Sequence, residues 1–292
     1  MSIDLSQLPP PDVIEPLSYE VILAEILADF NARNKSIILE PHDPAYKLAE
    51  TVAYRELGIR ARVNQAATSV MLAHAKGNDL DNLAAFYKVE RLLVDPGDAD
   101  ANPPIEPTFE DDARLLKRIR LAMNQFSTAG SRGSYEYHAL TASTDVKDVD
   151  IQRAGEGIVQ VTLLSEIENG AANSELQTLV DSALNADKVR PLTDSVIVQS
   201  AEIIEYQVTA NVYCYTGPSA TLVIDAAIAA LDKEVKKRHR LGYDVHASAI
   251  YGALQVEGVQ RVELVGYADL VIEPNQAAYC TALNINLGGI DE

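Results

Sequence analysis

Asp43-Pro44-Ala45-Tyr46-Lys47-Leu48-Ala49-Glu50-Thr51-Val52-Ala53-Tyr54-Arg55-Glu56-Leu57-Gly58-Ile59-Arg60-Ala61-Arg62-Val63-Asn64-Gln65-Ala66-Ala67-Thr68-Ser69-Val70-Met71-Leu72-Ala73-His74-Ala75-Lys76 organises the rest of the chain. Read as one helix it spans roughly 33 residues, or about 50 Å. Asp43 can cap its start, Pro44 suits the first helical position, and Gly77-Asn78 offers a stop. Ala45, Ala49, Val52, Ile59, Val63, Ala66, Val70 and Ala73 recur in alternating steps of three and four, with Glu56 as the polar exception. That is the coiled-coil period. A second apolar stripe of Tyr54, Leu57, Ala61, Met71, Leu72 and Ala75 occupies another face. Two apolar faces call for several partner helices. An ordinary long core helix in a monomeric bundle satisfies the same pattern.

The flanking segments give the remaining plan. Residues 1–16 are Pro-rich and acidic, with Pro9-Pro10-Pro11, and read as an extended arm; residues 17–33 read as an amphipathic helix. After the long helix, Asn78 or Asp79 can cap a short one carrying Leu80, Leu83, Ala84 and Tyr87. Residues 93–107, with Asp95-Pro96-Gly97 and Pro103-Pro104, read as a linker without regular structure, and Phe109 to Gln125 as a helix. A short helix over 134–142 precedes strands 146–151 and 158–164, which flank the hairpin signal Gly155-Glu156-Gly157. A helix over 174–186 and a strand over 196–202 follow. The last block reads as a strand with Tyr206, Val208, Ala210, Val212 and Cys214 inward, then helices 220–240 and 246–254, then strands 259–264 and 279–287. In the last of these, Tyr279, Thr281, Leu283, Ile285 and Leu287 are expected on one face. The fold class is α+β: a helical-bundle segment followed by two small sandwich-like domains, each a mixed sheet with helices on one face. The domains expected are 1–125, 126–204 and 205–292.

Composition narrows the function. Forty-three acidic residues against 24 basic give a net charge of -19, which disfavours nucleic acid and anionic membrane surfaces as partners. No apolar run approaches the roughly 20 residues of a membrane span, and no signal peptide is visible, so folding in a cytoplasm is expected. Cys214 and Cys280 lie in strand-like segments and read as small buried residues. His42, His74, His138, His239 and His246 are scattered without metal-ligand spacing. Ala129-Gly130-Ser131-Arg132-Gly133-Ser134 lacks the lysine of a phosphate loop and reads as a turn into a capped helix. Lys233, Lys236, Lys237, Arg238 and Arg240 crowd a helix end, where favourable interaction with its dipole explains them more simply than an anion site. No catalytic residue, cofactor site or metal site is identified. A scaffold or adaptor fits this pattern, and an enzyme does not.

Several motifs together resemble the baseplate J-like family. They are the run from Asp43 to Leu57, Arg62-Val63-Asn64-Gln65-Ala66-Ala67, the stretch from Met71 to Ala84, the stretch from Phe126 to Ala139, Val189-Arg190-Pro191-Leu192-Thr193-Asp194, His239-Arg240-Leu241-Gly242 and Val256-Glu257-Gly258-Val259-Gln260-Arg261-Val262. The resemblance implies a structural wedge protein of a contractile phage tail or tailocin baseplate, assembled in the host cytoplasm. It implies no catalytic residue and no cofactor. The partners it implies are a second copy of the chain, a smaller wedge protein, and sheath-initiator and hub-proximal baseplate proteins. Two copies and one smaller protein would make each wedge, and six wedges a ring around the hub. The C-terminal domain would close the ring by self-association. Val52, Ile59, Val63 and Val70 are then expected to line a core bundle. Glu56 is expected to set its register or meet a partner's cation, or instead to pair with Arg60 as an exposed i, i+4 pair. The alternative is a non-phage adaptor or self-assembling scaffold.

Overall fold

The computed structural model describes residues 12–35, 37, 39–127, 130–217 and 219–291. Pro9-Pro10-Pro11 of the expected arm, Thr128-Ala129 and Pro218 lie outside the described residues. The fold is α+β, and the chain divides into two compact units. One comprises residues 1–91 with 111–116, and the other residues 92–110 with 117–292.

The first unit is helical. Helix α1 (Tyr19–Arg33) starts at Ser18, whose hydroxyl accepts from the Val21 amide. It packs on α2 (Pro44–Ser69), and the pair buries Ile22, Ala49 and Ala53. Helix α2 has 26 residues, shorter than its periodicity suggests. Its last turn carries Thr68 and Ser69, whose hydroxyls bond back to the carbonyls of Asn64, Gln65 and Ala66. Side chains that compete for backbone groups favour a helix end, and the chain turns at Val70 instead of continuing to Lys76. Asp43 is the N-cap of α2 with Pro44 at its first position, as expected, although the Asp43 carboxylate accepts from the Glu40 amide and makes no cap hydrogen bond to the helix. Gly77 does not stop α2. It is the N-cap of α3 (Asn78–Phe86), in place of Asn78 or Asp79, and its φ of +51° is a conformation glycine adopts freely. The amide of Gly77 donates to Asp112, and Arg91 donates to both Asp81 and Asp112 at 2.7 Å.

In the second unit, β1 (Leu93–Asp95) pairs antiparallel with β2 (Thr108–Phe109). The expected linker is thus partly a ribbon, and Phe109 is a strand residue rather than a helix start. Helix α4 (Asp112–Leu121) begins later and passes into a 3-10 segment, Ala122–Phe126. Arg118 and Glu110 form a fully buried ion pair, and Glu110 also accepts from the Leu92 amide at 3.0 Å. These contacts explain why an acidic residue beside a proline-rich stretch tolerates burial.

Two three-stranded mixed sheets follow the same scheme: a central strand has one antiparallel and one parallel neighbour. In the first, β3 (Val146–Gly155) and β4 (Ile158–Ser165) form the expected hairpin, and β4 connects through α6 (Ser174–Leu184) to the parallel β5 (Ser195–Ser200). Val149, Ile151, Val161 and Leu163 meet Tyr135, Ala139 and Leu140 of α5 (Arg132–Ala142) and Leu176, Val180 and Leu184 of α6. In the second, β6 (Glu202–Tyr215) is central between β7 (Val259–Leu264) and β8 (Gln276–Asp291). The five inward residues expected of β6 are all buried. Helices α7 (Ala220–Arg238) and α8 (Ala247–Leu254) pack on this sheet, with Ala227, Leu231, Ile250 and Leu254 in its core. Each buried leucine or isoleucine contributes about 1.5–3 kcal/mol.

One register expectation is corrected. The pairing shifts between Tyr206↔Cys280 and Gln207↔Ala282, so a bulge falls at Thr281. An extra residue moves the following side chains to the other face. Cys280 therefore joins Leu283 and Ile285 against the core, in place of Tyr279 and Thr281. Leu164, Ala201 and Ala277 form a small core where the two sheets meet.

Candidate assembly interface

Helix α2 presents much of its apolar stripe to solvent. Val52, Ile59 and Val63 are 45%, 65% and 55% exposed, and Val70, at the C-cap just past the helix, is 67% exposed. Ala49, from the same periodic set, is buried beside α1. At about 100° per residue, Leu48, Val52, Ile59 and Val63 lie within about 60° of one another. They form a narrow apolar strip running most of the helix length. Leu48, a step of four before Val52, is 65% exposed and belongs to this strip. By the same angle, exposed Arg55 and Arg62 border the strip on one side.

Glu56 lies at the other border. Arg60 donates to its carboxylate from Nε and Nη2 at 3.0 and 2.6 Å, the i, i+4 geometry. Arg60 also reaches Glu15 at 3.4 Å and Glu25 at 3.7 Å. The hydrogen bonds to Glu56 raise the already high pKa of this guanidinium. A cation amid three carboxylates stays charged and holds Glu56 on its own helix in the isolated chain.

The motifs near Gly130, Tyr135, Pro191 and Asp194 also come together, at a second place. Ser131 caps α5 by accepting from the Ser134 amide. The Tyr135 hydroxyl donates to Asp194 at 2.7 Å, and burial pushes its pKa up, so it stays protonated. A Cβ on Gly130 would lie 2.6 Å from the Asp194 carboxylate and 2.8 Å from Pro191, which explains the glycine there. This polar knot borders a cavity of about 240 Å³ that also includes Arg132 and Arg153. Its named contacts tie the α5 start to the β5 approach, and among the described residues no serine, threonine, cysteine, lysine or histidine lines it.

The remaining sequence candidates separate. At the end of α7, Lys236 pairs with Asp232, and Lys237 and Arg238 share Glu234, so three of the five cations have carboxylate partners on their own helix. Cys214 is buried and Cys280 half-buried; both are free thiols. Among the described residues, no three His, Cys, Asp or Glu side chains gather as a metal-binding group. No described helix is long and apolar enough to cross a membrane.

Comparison with known proteins bears on the exposed strip. Residues 42–98 match the baseplate J-like N-terminal domain, and residues 127–200 match the baseplate J-like central domain. The chain is 44% identical over 300 residues to baseplate protein J of Escherichia phage P2, covering 99% of each. It is also similar to a chain in the cryo-EM structure of the anti-feeding prophage baseplate, at 15% identity and a TM-score of 0.43. That match covers 61% of this chain and 44% of the other, so the chain spans less than half of that solved relative.

Proposed function

Because this chain belongs to the baseplate J-like family, we propose a specific place for it within a baseplate. The chain is a structural baseplate protein, a component of a phage virion or tailocin-like particle. The finer assignment is that it forms the wedge. Two copies join one smaller wedge protein through a helical core bundle, and six wedges surround the hub, next to sheath-initiator and hub-proximal proteins. Residues 1–125 supply the arm and bundle, 126–204 a middle domain, and 205–292 the ring-closing domain. The protein acts through its surfaces, without catalysis.

The observation that carries this assignment is the strip on α2. Val52, Ile59, Val63 and Val70 keep apolar side chains in water at coiled-coil spacing. A partner helix that buries them recovers about 25 cal/mol for each Å² of apolar surface removed from water. Arg55 and Arg62 at the border favour carboxylates on that partner, while Glu56 turns its charge to Arg60. Hydroxyl-radical footprinting of the isolated chain and the assembled baseplate tests this. Protection of Leu48, Val52, Ile59 and Val63 on assembly is expected. Unchanged labelling at all four would reject the bundle assignment.

A further inference from the structure

The cavity beside Tyr135 and Asp194 takes no part in the α2 strip, and segments far apart in sequence build it. Helix α5 supplies Arg132 and Tyr135, β3 supplies Arg153, β4 supplies Ile158 and Val159, and the approach to β5 supplies Asp194. The β3–β4 turn closes tightly against that approach. Gly157 has a φ of +67°, and a Cβ there would lie 2.9 Å from the Thr193 carbonyl oxygen.

The charged groups of the cavity are unequally committed. The Asp194 carboxylate already accepts from the Tyr135 hydroxyl at 2.7 Å and from the Thr193 hydroxyl at 3.2 Å. Arg190 donates to the Asp194 carbonyl at 3.0 Å. Arg153 donates its Nε to the Gly155 carbonyl at 3.2 Å, and neither Arg153 nor Arg132 has an ion-pair partner among the described residues. Glu156 stands on the turn but does not line the cavity. Acidic residues outnumber basic ones by 43 to 24, and Arg60, Arg91, Arg118 and Arg238 all pair with carboxylates of their own chain. Two guanidinium groups left without a carboxylate at one cavity stand out against that background.

We propose that this cavity receives a carboxylate side chain from an acidic segment of a different baseplate protein. Arg132 and Arg153 carry planar donor forks that match a carboxylate, and Ile158 and Val159 offer apolar surface to its methylene stem. Size selects a side chain over a free ligand. Small-molecule sites span about 300–1,000 Å³, and this cavity, at about 240 Å³, falls below that range. Leu192, two residues before Asp194, is fully exposed and adds an apolar contact that a free anion would leave unused. Charge selects against a second copy. Two chains of net charge -19 repel one another at long range, whereas an acidic segment on a less acidic protein meets less opposition. The proposal rests on the place of the chain in a baseplate and is independent of the α2 bundle.

The test compares the free full-length chain with assembled baseplates. Phenylglyoxal should modify Arg132 and Arg153 readily in the free chain and about tenfold more slowly in the particle, with hydroxyl-radical labelling of Leu192 falling in parallel. Labelling of Leu48, Val52, Ile59 and Val63 is read in the same particles. Protected arginines beside an unprotected α2 would support the cavity and reject the bundle; the reverse would overturn the cavity and leave the bundle intact. Arg153→Lys keeps the charge and presents an amine, so carbodiimide treatment of particles carrying it should join that position to an aspartate or glutamate of another baseplate protein. A junction to a second copy of this chain overturns the proposal. Arg132→Glu with Arg153→Glu should lower particle yield by about tenfold or more while the thermal transition of the free chain stays in place, and Arg132→Lys with Arg153→Lys should largely retain the yield. Wild-type yield from the reversed pair overturns the proposal. So does glutarate, if below about 1 mM it protects both arginines of the free chain as fully as assembly does, because the site would then be one for small anions. Should the reversed pair fail to fold, the reactivity of the wild-type arginines decides alone.

Discussion

Val63 of α2 and Val212 of β6 are the same side chain in opposite circumstances. Val212 is fully buried among Cys214, Val223 and Val259, whereas Val63 is 55% exposed. The difference holds for the regions around them. The sheets enclose their apolar residues between their own strands and helices, with Leu163, Val180, Leu231 and Leu254 all buried. The α1–α2 pair buries little more than Ile22, Ala49 and Ala53 and leaves its longest apolar strip in water. Each sheet layer supplies its own core. The helix pair does not enclose its own apolar strip, which partner helices of the proposed bundle would cover.

The sharpest way to break this comparison is to place the same carboxylate in both positions. Val212→Asp buries a charge without a partner and is expected to unfold the second unit, read as loss of the cooperative thermal transition. Val63→Asp should leave that transition in place yet abolish assembly with the smaller wedge protein. Equal thermal behaviour of the two variants would show that the regions do not differ as described.

Next in size is the buried ion pair. Arg118→Ala removes the buried guanidinium that pairs with Glu110 and is expected to cost about 3–5 kcal/mol in urea unfolding. Truncation of apolar residues sharpens the contrast on a finer scale. Leu231→Ala should cost about 2–5 kcal/mol, because its site is closed on all sides. Ile59→Ala should change the isolated chain by about 0.5 kcal/mol or less, since its side chain already meets water.

The smallest effect concerns pH. Hydrogen bonds from Arg91, and then from the Gly77 amide, hold the Asp112 carboxyl below its ordinary value of 3.8. A folded-state pKa below the unfolded one stabilises the fold fully above the unfolded pKa, and the contribution fades as pH falls through the lowered value. The Asp112 side chain is 39% exposed, so solvent screens the interaction and the effect on overall stability is slight. Carboxyl NMR titration should place the Asp112 midpoint below 3.8, and Arg91→Ala should move it back up toward that value.

Periodicity made the layers readable. The alternation from Tyr206 to Cys214 and the glycines at 155 and 157 correspond to β6 and the β3–β4 turn, because both features arise from a few adjacent residues. What stayed hidden depended on distant partners. Gly77 looked like a helix stop but begins α3, where its amide meets Asp112. The bulge at Thr281 arises from pairing with β6, some 75 residues earlier in sequence, and local alternation gives no sign of it. The burial of Glu110 likewise depends on Arg118, one element later. For the interface, the period picked out Val52, Ile59, Val63 and Val70, and the structure shows them in solvent. The coiled-coil period through Ala45 and Ala49 does not include Leu48, because it cannot show that Ala49 turns toward α1.

The central claim is that α2 completes its core with other chains. Native mass spectrometry of this chain co-expressed with the smaller wedge protein tests it most directly. The account predicts a complex of two copies of this chain with one of the smaller protein, lost in Val63→Asp. A folded monomer beside an unbound, folded partner would contradict it.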